Sequence, residues 1–219
     1  MRSQYAPTTI LLADDHPVVL RGLASLINGN PDLEIVAICT DGSTALAEIQ
    51  EGRPDIAVID LNMPGMNGLD ILKEVRAARL PSRIVLLTAD IADADIVDAL
   101  STGLDGLSMK NDAPDTLIDC LREVAAGRRW LPPDTIVAAQ GRETERRDRA
   151  RILFKPLTER EREIVRMASR DLSNKEIARH LNISEGTVKI HLNKVYSKLN
   201  ATNRTSLQAA VGEYLDLLF

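Results

Sequence analysis

Residues Ile56-Ala57-Val58-Ile59-Asp60-Leu61-Asn62-Met63-Pro64-Gly65 decide the fold. Four consecutive apolar residues without polar alternation read as a strand buried on both faces. Asp60 stops the run where a turn rich in Asn, Pro and Gly begins. Four other runs share this form, at residues 9–13, 33–39, 84–87 and, more weakly, 106–109. Between them, residues 18–28, 43–50, 69–78, 92–102 and 116–126 repeat apolar side chains at helical spacing, and Gly, Asn or Pro often ends them. Five strand–helix units predict an α/β domain built on a doubly wound, five-stranded parallel sheet with right-handed crossovers.

The polar residues that close the runs carry the chemistry. Asp14 and Asp15 follow the first, Asp60 the third, Thr88 the fourth and Lys110 the fifth. In a parallel sheet all carboxyl ends lie along one edge, where open α/β folds bind ligands, so these side chains are expected to converge. Three crowded carboxylates repel unless a cation sits among them. Oxygen ligands suit a hard divalent ion, Mg²⁺ above all, which keeps waters and leaves room for a phosphoryl oxygen. Lys110 and Thr88 can hold two more phosphoryl oxygens, and Asp60 is the candidate acceptor of an aspartyl-phosphate. Each residue taken singly has a plain structural reading: Asp15 a helix N-cap before His16-Pro17, Asp60 a turn residue, Thr88 a strand-end hydroxyl, Lys110 a solvated lysine. Their joint placement on four strand ends reverses the odds.

Asp14-Asp15-His16-Pro17, the segment from Ile59 to Gly68, Leu86-Leu87-Thr88-Ala89 and Met109-Lys110 together resemble the receiver domain of bacterial two-component response regulators, a flavodoxin-like fold. The resemblance spans roughly residues 8–127. It implies that Asp60 takes a phosphoryl group from a sensor histidine kinase. It also implies that Asp14, Asp15, Asp60 and the backbone carbonyl of Asn62 hold Mg²⁺, while Thr88 and Lys110 grip the phosphoryl group. Receivers commonly carry Tyr or Phe three residues before the lysine, whereas this chain has Leu107. Either Leu107 moves as a smaller reporter or the output is coupled through another surface.

From Leu157 the pattern becomes wholly helical. Thr158-Glu159-Arg160-Glu161 and Ser173-Asn174-Lys175-Glu176 each fit a capping box, Ser184 can cap a third helix to about Leu199, and a fourth follows Thr202-Asn203. The tight 181–184 connection matches a helix-turn-helix, whose second helix enters the DNA major groove. On that helix Val188, Leu192, Val195 and Leu199 share a core face. Thr187, Lys189, Ile190, Asn193, Lys194 and Lys198 turn outward. Lys189 can reach guanine or phosphate, Asn193 adenine and Ile190 a thymine methyl, with Lys194 and Lys198 beside phosphates. His191 is placed equally well against backbone phosphate or in the packing.

Leu157–Glu161, Asn174–Ala178, residues 181–199 and Thr202-Asn203-Arg204-Thr205 resemble the LuxR-type helix-turn-helix. With the receiver they give the NarL/FixJ arrangement. In that family the last helix can dimerise, which makes Leu207, Ala210 and Val211 candidate interface residues, with packing against the preceding helix as the plain alternative. The expected layout is a receiver at 1–127, a linker at 128–155 and a DNA-binding domain at 156–219.

Charge supports the division. Residues 1–127 hold 9 Lys+Arg against 20 Asp+Glu, net −11, and residues 128–219 hold 18 against 12, net +6. Residues 156–219 alone are only +2, so charge does not by itself establish nucleic-acid binding. The run 142–151, with five arginines against Glu143, Glu145 and Asp148, reads as hydrated linker rather than as a basic arm for phosphates. Aromatics at 3% argue against base stacking as the binding mode. The apolar runs are far short of the ~20 residues of a membrane-spanning helix, and Met1–Pro7 shows no secretion signal. Cys39 and Cys120 lack metal-type spacing. The expectation is a cytoplasmic transcription regulator, a homodimer on double-stranded DNA when phosphorylated, and not an enzyme. A Mg²⁺-dependent phosphohydrolase with the same pocket would want a second Asp two residues after Asp60, where Asn62 stands. An adaptor that works without phosphorylation has only Leu107 in its favour.

Overall fold

A computed structural model describes residues 6–218; the first five residues of the stretch read for a secretion signal lie outside them. The sheet consists of β1 (Thr8–Ala13), β2 (Leu33–Cys39), β3 (Ile56–Asp60), β4 (Arg83–Thr88) and β5 (Gly106–Met109), all parallel, in the order β2-β1-β3-β4-β5. Between them run α1 (Pro17–Asn28), α2 (Gly42–Gly52), α3 (Gly68–Ala77) and α4 (Asp93–Thr102), and α5 (Pro114–Ala125) follows β5.

Alternation along the strands sorts the core into two layers. Leu11, Ala13, Ala57, Ile59, Ile84 and Leu86 pack with Ile49 of α2, Leu72 of α3 and Ala99 of α4. Ile10, Leu12, Ile56, Val58, Val85 and Leu87 pack with Leu20 and Ile27 of α1 and Leu117, Leu121 and Val124 of α5. Between their polar ends the central strands are therefore apolar on both faces, as their sequences require. β2 departs from expectation. It is an edge strand with Val36 and Ile38 about half exposed, and its pairing with β1 shifts register between Ile10 and Leu11. Only one side of an edge strand has a neighbour to cover it.

Side-chain caps fix where helices start. Asp41 accepts the Thr44 N–H at 2.9 Å to open α2, and Asn67 accepts the Asp70 N–H at 2.8 Å to open α3. Asp15 is not a cap: His16 occupies the N-cap position of α1, with Pro17 following.

The stretch expected as a hydrated linker, 128–155, is ordered. The Trp130 backbone bridges to Gly106, and its carbonyl accepts the Leu107 N–H at 2.9 Å, which extends the sheet beside β5. α6 then runs unbroken from Pro133 to Phe154, well past the 134–140 stretch that looked helical. Its charges lace it together: Glu143 receives Arg146 at 3.2 Å and Arg147 at 2.7 Å, Glu145 receives Arg149, and Asp148 receives Arg151. Pairs three or four residues apart stabilise a helix, so a run that reads as solvated loop forms one. Four of its five arginines are thereby paired with carboxylates, which counts against a basic arm.

The contacts divide the chain into two compact units at Gln140/Gly141. In the second unit, Ala150 and Phe154 of α6 join the core of α7 (Glu159–Ser169), α8 (Asn174–Leu181), α9 (Glu185–Lys198), α10 (Arg204–Val211) and a 3₁₀ segment, Gly212–Leu217. Arg146 donates to the Glu213 carbonyl at 2.6 Å and pairs with Asp216. The second compact unit thus begins within α6, fifteen residues before the expected 156. No helix among the described residues is long and apolar enough to cross a membrane.

A close approach ties α2 to the β3–α3 loop, where a Cβ on Gly42 would fall 2.0 Å from the Met66 carbonyl oxygen. Gly42→Ala is expected to destabilise the first unit by about 1–3 kcal/mol, as overpacking does. Urea unfolding of the full chain followed by circular dichroism checks this; an unchanged midpoint would mean the loop yields freely.

Candidate functional site

β1, β3, β4 and β5 are neighbours in the sheet, so their carboxyl ends form one continuous edge. Asp14 and Asp60 there are nearly inaccessible, at 1% and 3% exposure, while Asp15 is half-buried. Lys110 reaches across from β5: its Nζ lies 2.7 Å from Asp14 Oδ2 and 3.0 Å from Asp60 Oδ2. Its backbone N–H donates to the Thr88 carbonyl at 2.8 Å, which sets the loop beside β4. Burial alone would lower the ammonium's pKa, but hydrogen bonds to Asp14 and Asp60, with their charges, outweigh it and hold Lys110 above its ordinary value.

Three carboxylates and one ammonium leave an excess of negative charge. Ligand atoms from Asp14, Asp15, His16 and Asp60 all lie within 4.8 Å of one another. Such a donor set fits a divalent cation with oxygen preference. Asn62, the expected backbone ligand, stands two residues beyond Asp60 on the exposed β3–α3 loop. Thr88 is fully buried, and its hydroxyl donates to the Asp90 carbonyl at 2.6 Å, toward the β4–α4 loop. His16 was not anticipated as part of the pocket. Its Nδ1 lies 2.7 Å from Asp15 Oδ1 and 3.2 Å from Asp14 Oδ1, an approach that depends on rotamer and that only its place after two aspartates could have hinted at.

In the second unit both capping boxes are present, Thr158 with Glu161 and Ser173 with Glu176. Asn182 ends α8 in the left-handed conformation (φ 51°), which turns the chain toward α9, and Arg160 braces that turn by donating to the Leu181 carbonyl at 2.8 Å. Val188, Leu192, Val195 and Leu199 are buried. Lys189, Ile190, Asn193 and Lys194 lie on the open side, with Ile190 at 58% exposure, a large apolar side chain left in water. A helix carrying exposed donors and one methyl-rich side chain has the make-up of a base-reading surface. Thr187 is half-buried, its Oγ1 2.9 Å from Ser184 Oγ. His191 is half-buried with its Nδ1 enclosed.

The family model described as response regulator receiver domain matches residues 10–122, and that described as bacterial regulatory proteins, luxR family, matches residues 155–210. Nitrate/nitrite response regulator protein NarL of Escherichia coli (strain K12) is 36% identical over 222 residues, 99% of this chain and all of the relative. The chain is a DNA-binding response regulator of the NarL type. The crystal structure of response regulator ChrA, from a heme-sensing two-component system, aligns with 98% of this regulator and all of ChrA at 31% identity (TM-score 0.53). A structure of the response regulator RcsB–DNA complex covers 95% of this chain and 99% of RcsB at 23% identity, which speaks for the fold alone (TM-score 0.59).

Two expectations for this NarL-type regulator need correction. Lys198, expected beside phosphates, is drawn back to the buried Glu161, Nζ to Oε2 2.6 Å, because an unpaired carboxylate there would be costly. Leu207 and Val211, candidates for a dimer face, are fully buried in their own domain, and only Ala210 of that set stays partly accessible. A single domain this small needs those side chains for its core. Leu107 is buried in the layer beside α2–α4.

Although burial raises the Glu161 carboxyl's pKa, the Lys198 and Thr158 hydrogen bonds prevail and hold it below its ordinary 4.5. Its stabilising effect is therefore complete above that value and fades as pH falls through the lower folded-state value. Glu161→Gln is expected to cost the second unit about 1–2 kcal/mol at neutral pH, with the gap to wild type closing as the solution is acidified below 4.5. A gap independent of pH in thermal melts would rule out the charged pair as its source.

Proposed function

We propose that this regulator is switched by a phosphoryl group on Asp60. The observation that carries the reading is Lys110 bridging the buried carboxylates of Asp14 and Asp60. An Asp60 carboxylate oxygen attacks phosphorus, the bond to the histidine kinase's imidazole nitrogen breaks, and the nitrogen leaves with its electron pair. A Mg²⁺ bound by Asp14, Asp15, Asp60 and the Asn62 carbonyl would neutralise phosphoryl charge. Lys110 exchanges one carboxylate partner for a phosphoryl oxygen. Thr88 surrenders its bond to Asp90 to hold another, which moves the β4–α4 loop. A buried carboxylate with an ammonium already in reach supports this assignment.

The second unit then reads DNA through Lys189, Ile190 and Asn193, with Thr187, His191 and Lys194 near the backbone. Phosphorylation favours homodimers on paired half-sites, through a face other than Leu207 and Val211, and releases restraint on the DNA-binding unit. The acidic first half and basic second half support such restraint. The regulator works in the cytoplasm, acts on transcription rather than catalysing turnover, and divides as a receiver to about 127, a linker, and a reader whose compact unit takes in the C-terminal part of α6.

Intact mass after incubation with acetyl phosphate and Mg²⁺ should show one phosphoryl adduct on wild type and none on Asp60→Asn. An adduct surviving in that variant would defeat the acceptor assignment, and turnover of phosphate esters would favour the hydrolase reading instead. On sites selected from random DNA, Lys189→Ala is expected to relax sequence preference at one position, worth about 1–3 kcal/mol. Lys194→Ala should weaken all sites evenly. Equal, sequence-independent losses for both would remove Lys189 from the base-reading set.

A further inference from the structure

Ser108 follows Leu107 along β5, and strand alternation turns its side chain to the opposite layer, beside Leu87 and the helices α1 and α5. It is 1% exposed, and its hydroxyl has no hydrogen-bond partner among the described residues. Buried hydroxyls are ordinarily paired, because an unpaired one is unfavourable. Ser108 lines a cavity of about 540 Å³ walled chiefly by Val19, Leu23 and Leu26 of α1 with Met109, Pro114 and Leu117. That volume lies within the range of small-molecule sites, which are mostly apolar with a few polar groups that fix orientation.

Gly22 is a second, independent sign. It sits in the middle of α1, where glycine weakens a helix. A Cβ there would meet no described atom within 4 Å, so packing within the chain does not call for glycine. Gly22 lines the same cavity and leaves it wider. The charged groups of the cavity are already engaged. Lys110 Nζ is held by Asp14 and Asp60, and Asp112 Oδ2 accepts the Met109 N–H at 2.9 Å.

We propose that this cavity binds a small, neutral, mostly apolar molecule carrying one hydroxyl or carbonyl, whose oxygen pairs with Ser108 Oγ. Apolar walls supply the affinity and the orphan hydroxyl the orientation. A charged ligand would find no free counter-charge, since Lys110 and Asp112 are both taken. The hydroxyl lies at the level of the sheet, beneath α1 and α5, where a compact ligand reaches and a flat protein surface does not. Met109, unbranched and adaptable, can shift to admit it. Of the residues in the phosphorylation pocket only Lys110 also lines this cavity, and binding here needs no phosphoryl group on Asp60.

The test is titration of the full chain, labelled at its Leu, Val and Met methyl groups, with β-naphthol and, separately, with naphthalene, followed by methyl proton–carbon spectra. β-Naphthol is expected to give saturable shifts concentrated on Val19, Leu23, Met109 and Leu117. Ser108→Ala should weaken β-naphthol about threefold to tenfold, the worth of one neutral hydrogen bond, and leave naphthalene unchanged. Gly22→Leu, which fills the open space, should abolish saturation by both probes. Shifts scattered over the chain, or a Ser108→Ala variant that binds β-naphthol as wild type does, would overturn the proposal. So would shifts of the wall methyls that grow with protein concentration in the absence of either probe, because a second copy would then hold the groove. None of these outcomes bears on Asp60. Circular dichroism checks that the variants fold, and Gly22→Ala, expected to weaken both probes, replaces Gly22→Leu if that variant unfolds.

Discussion

One ammonium between two buried carboxylates governs the first unit. Without Lys110, Asp14 and Asp60 would face each other almost out of water, and two uncompensated charges in such a place are strongly unfavourable. The lysine comes from β5 and the aspartates from the ends of β1 and β3, so the pair can form only if the crossovers bring those strands to one edge. The order β2-β1-β3-β4-β5 does so. Fold and site are in this sense a single constraint: the winding that buries the apolar runs also gathers the polar residues that end them.

The second unit solves a different problem. Eight-residue helices such as α8 and α10 are too short to be stable alone. Reciprocal caps at Thr158, Ser173 and Asn203 satisfy their first N–H groups, and the Arg160 bond to Leu181 fixes the turn that aims α9. Rigid support behind α9 is what lets exposed Lys189, Ile190 and Asn193 keep a defined spacing.

Much of this was legible in the residues. Unbroken apolar runs announced the central strands, and their terminal polar residues announced the edge where they meet. Capping boxes marked where α7 and α8 begin. What could not be read has physical causes. The arginine run of α6 has loop-like composition, and its helix depends on side-chain pairs that composition does not display. Helical period turned Lys198 outward, but its long flexible stem bends back to Glu161. Leu207 and Val211 are apolar, which fits a core or an interface equally well until neighbours are known. The approach of His16 to two aspartates is a matter of rotamer.

The irregular pairing of β2 has a consequence for crowded conditions. An outer strand showing valine and isoleucine to water invites another copy to add on, backbone to backbone. The slipped register beside Ile10 breaks the even row of donors and acceptors such stacking requires. The irregularity thus blunts an edge that its apolar side chains would otherwise leave open to pairing.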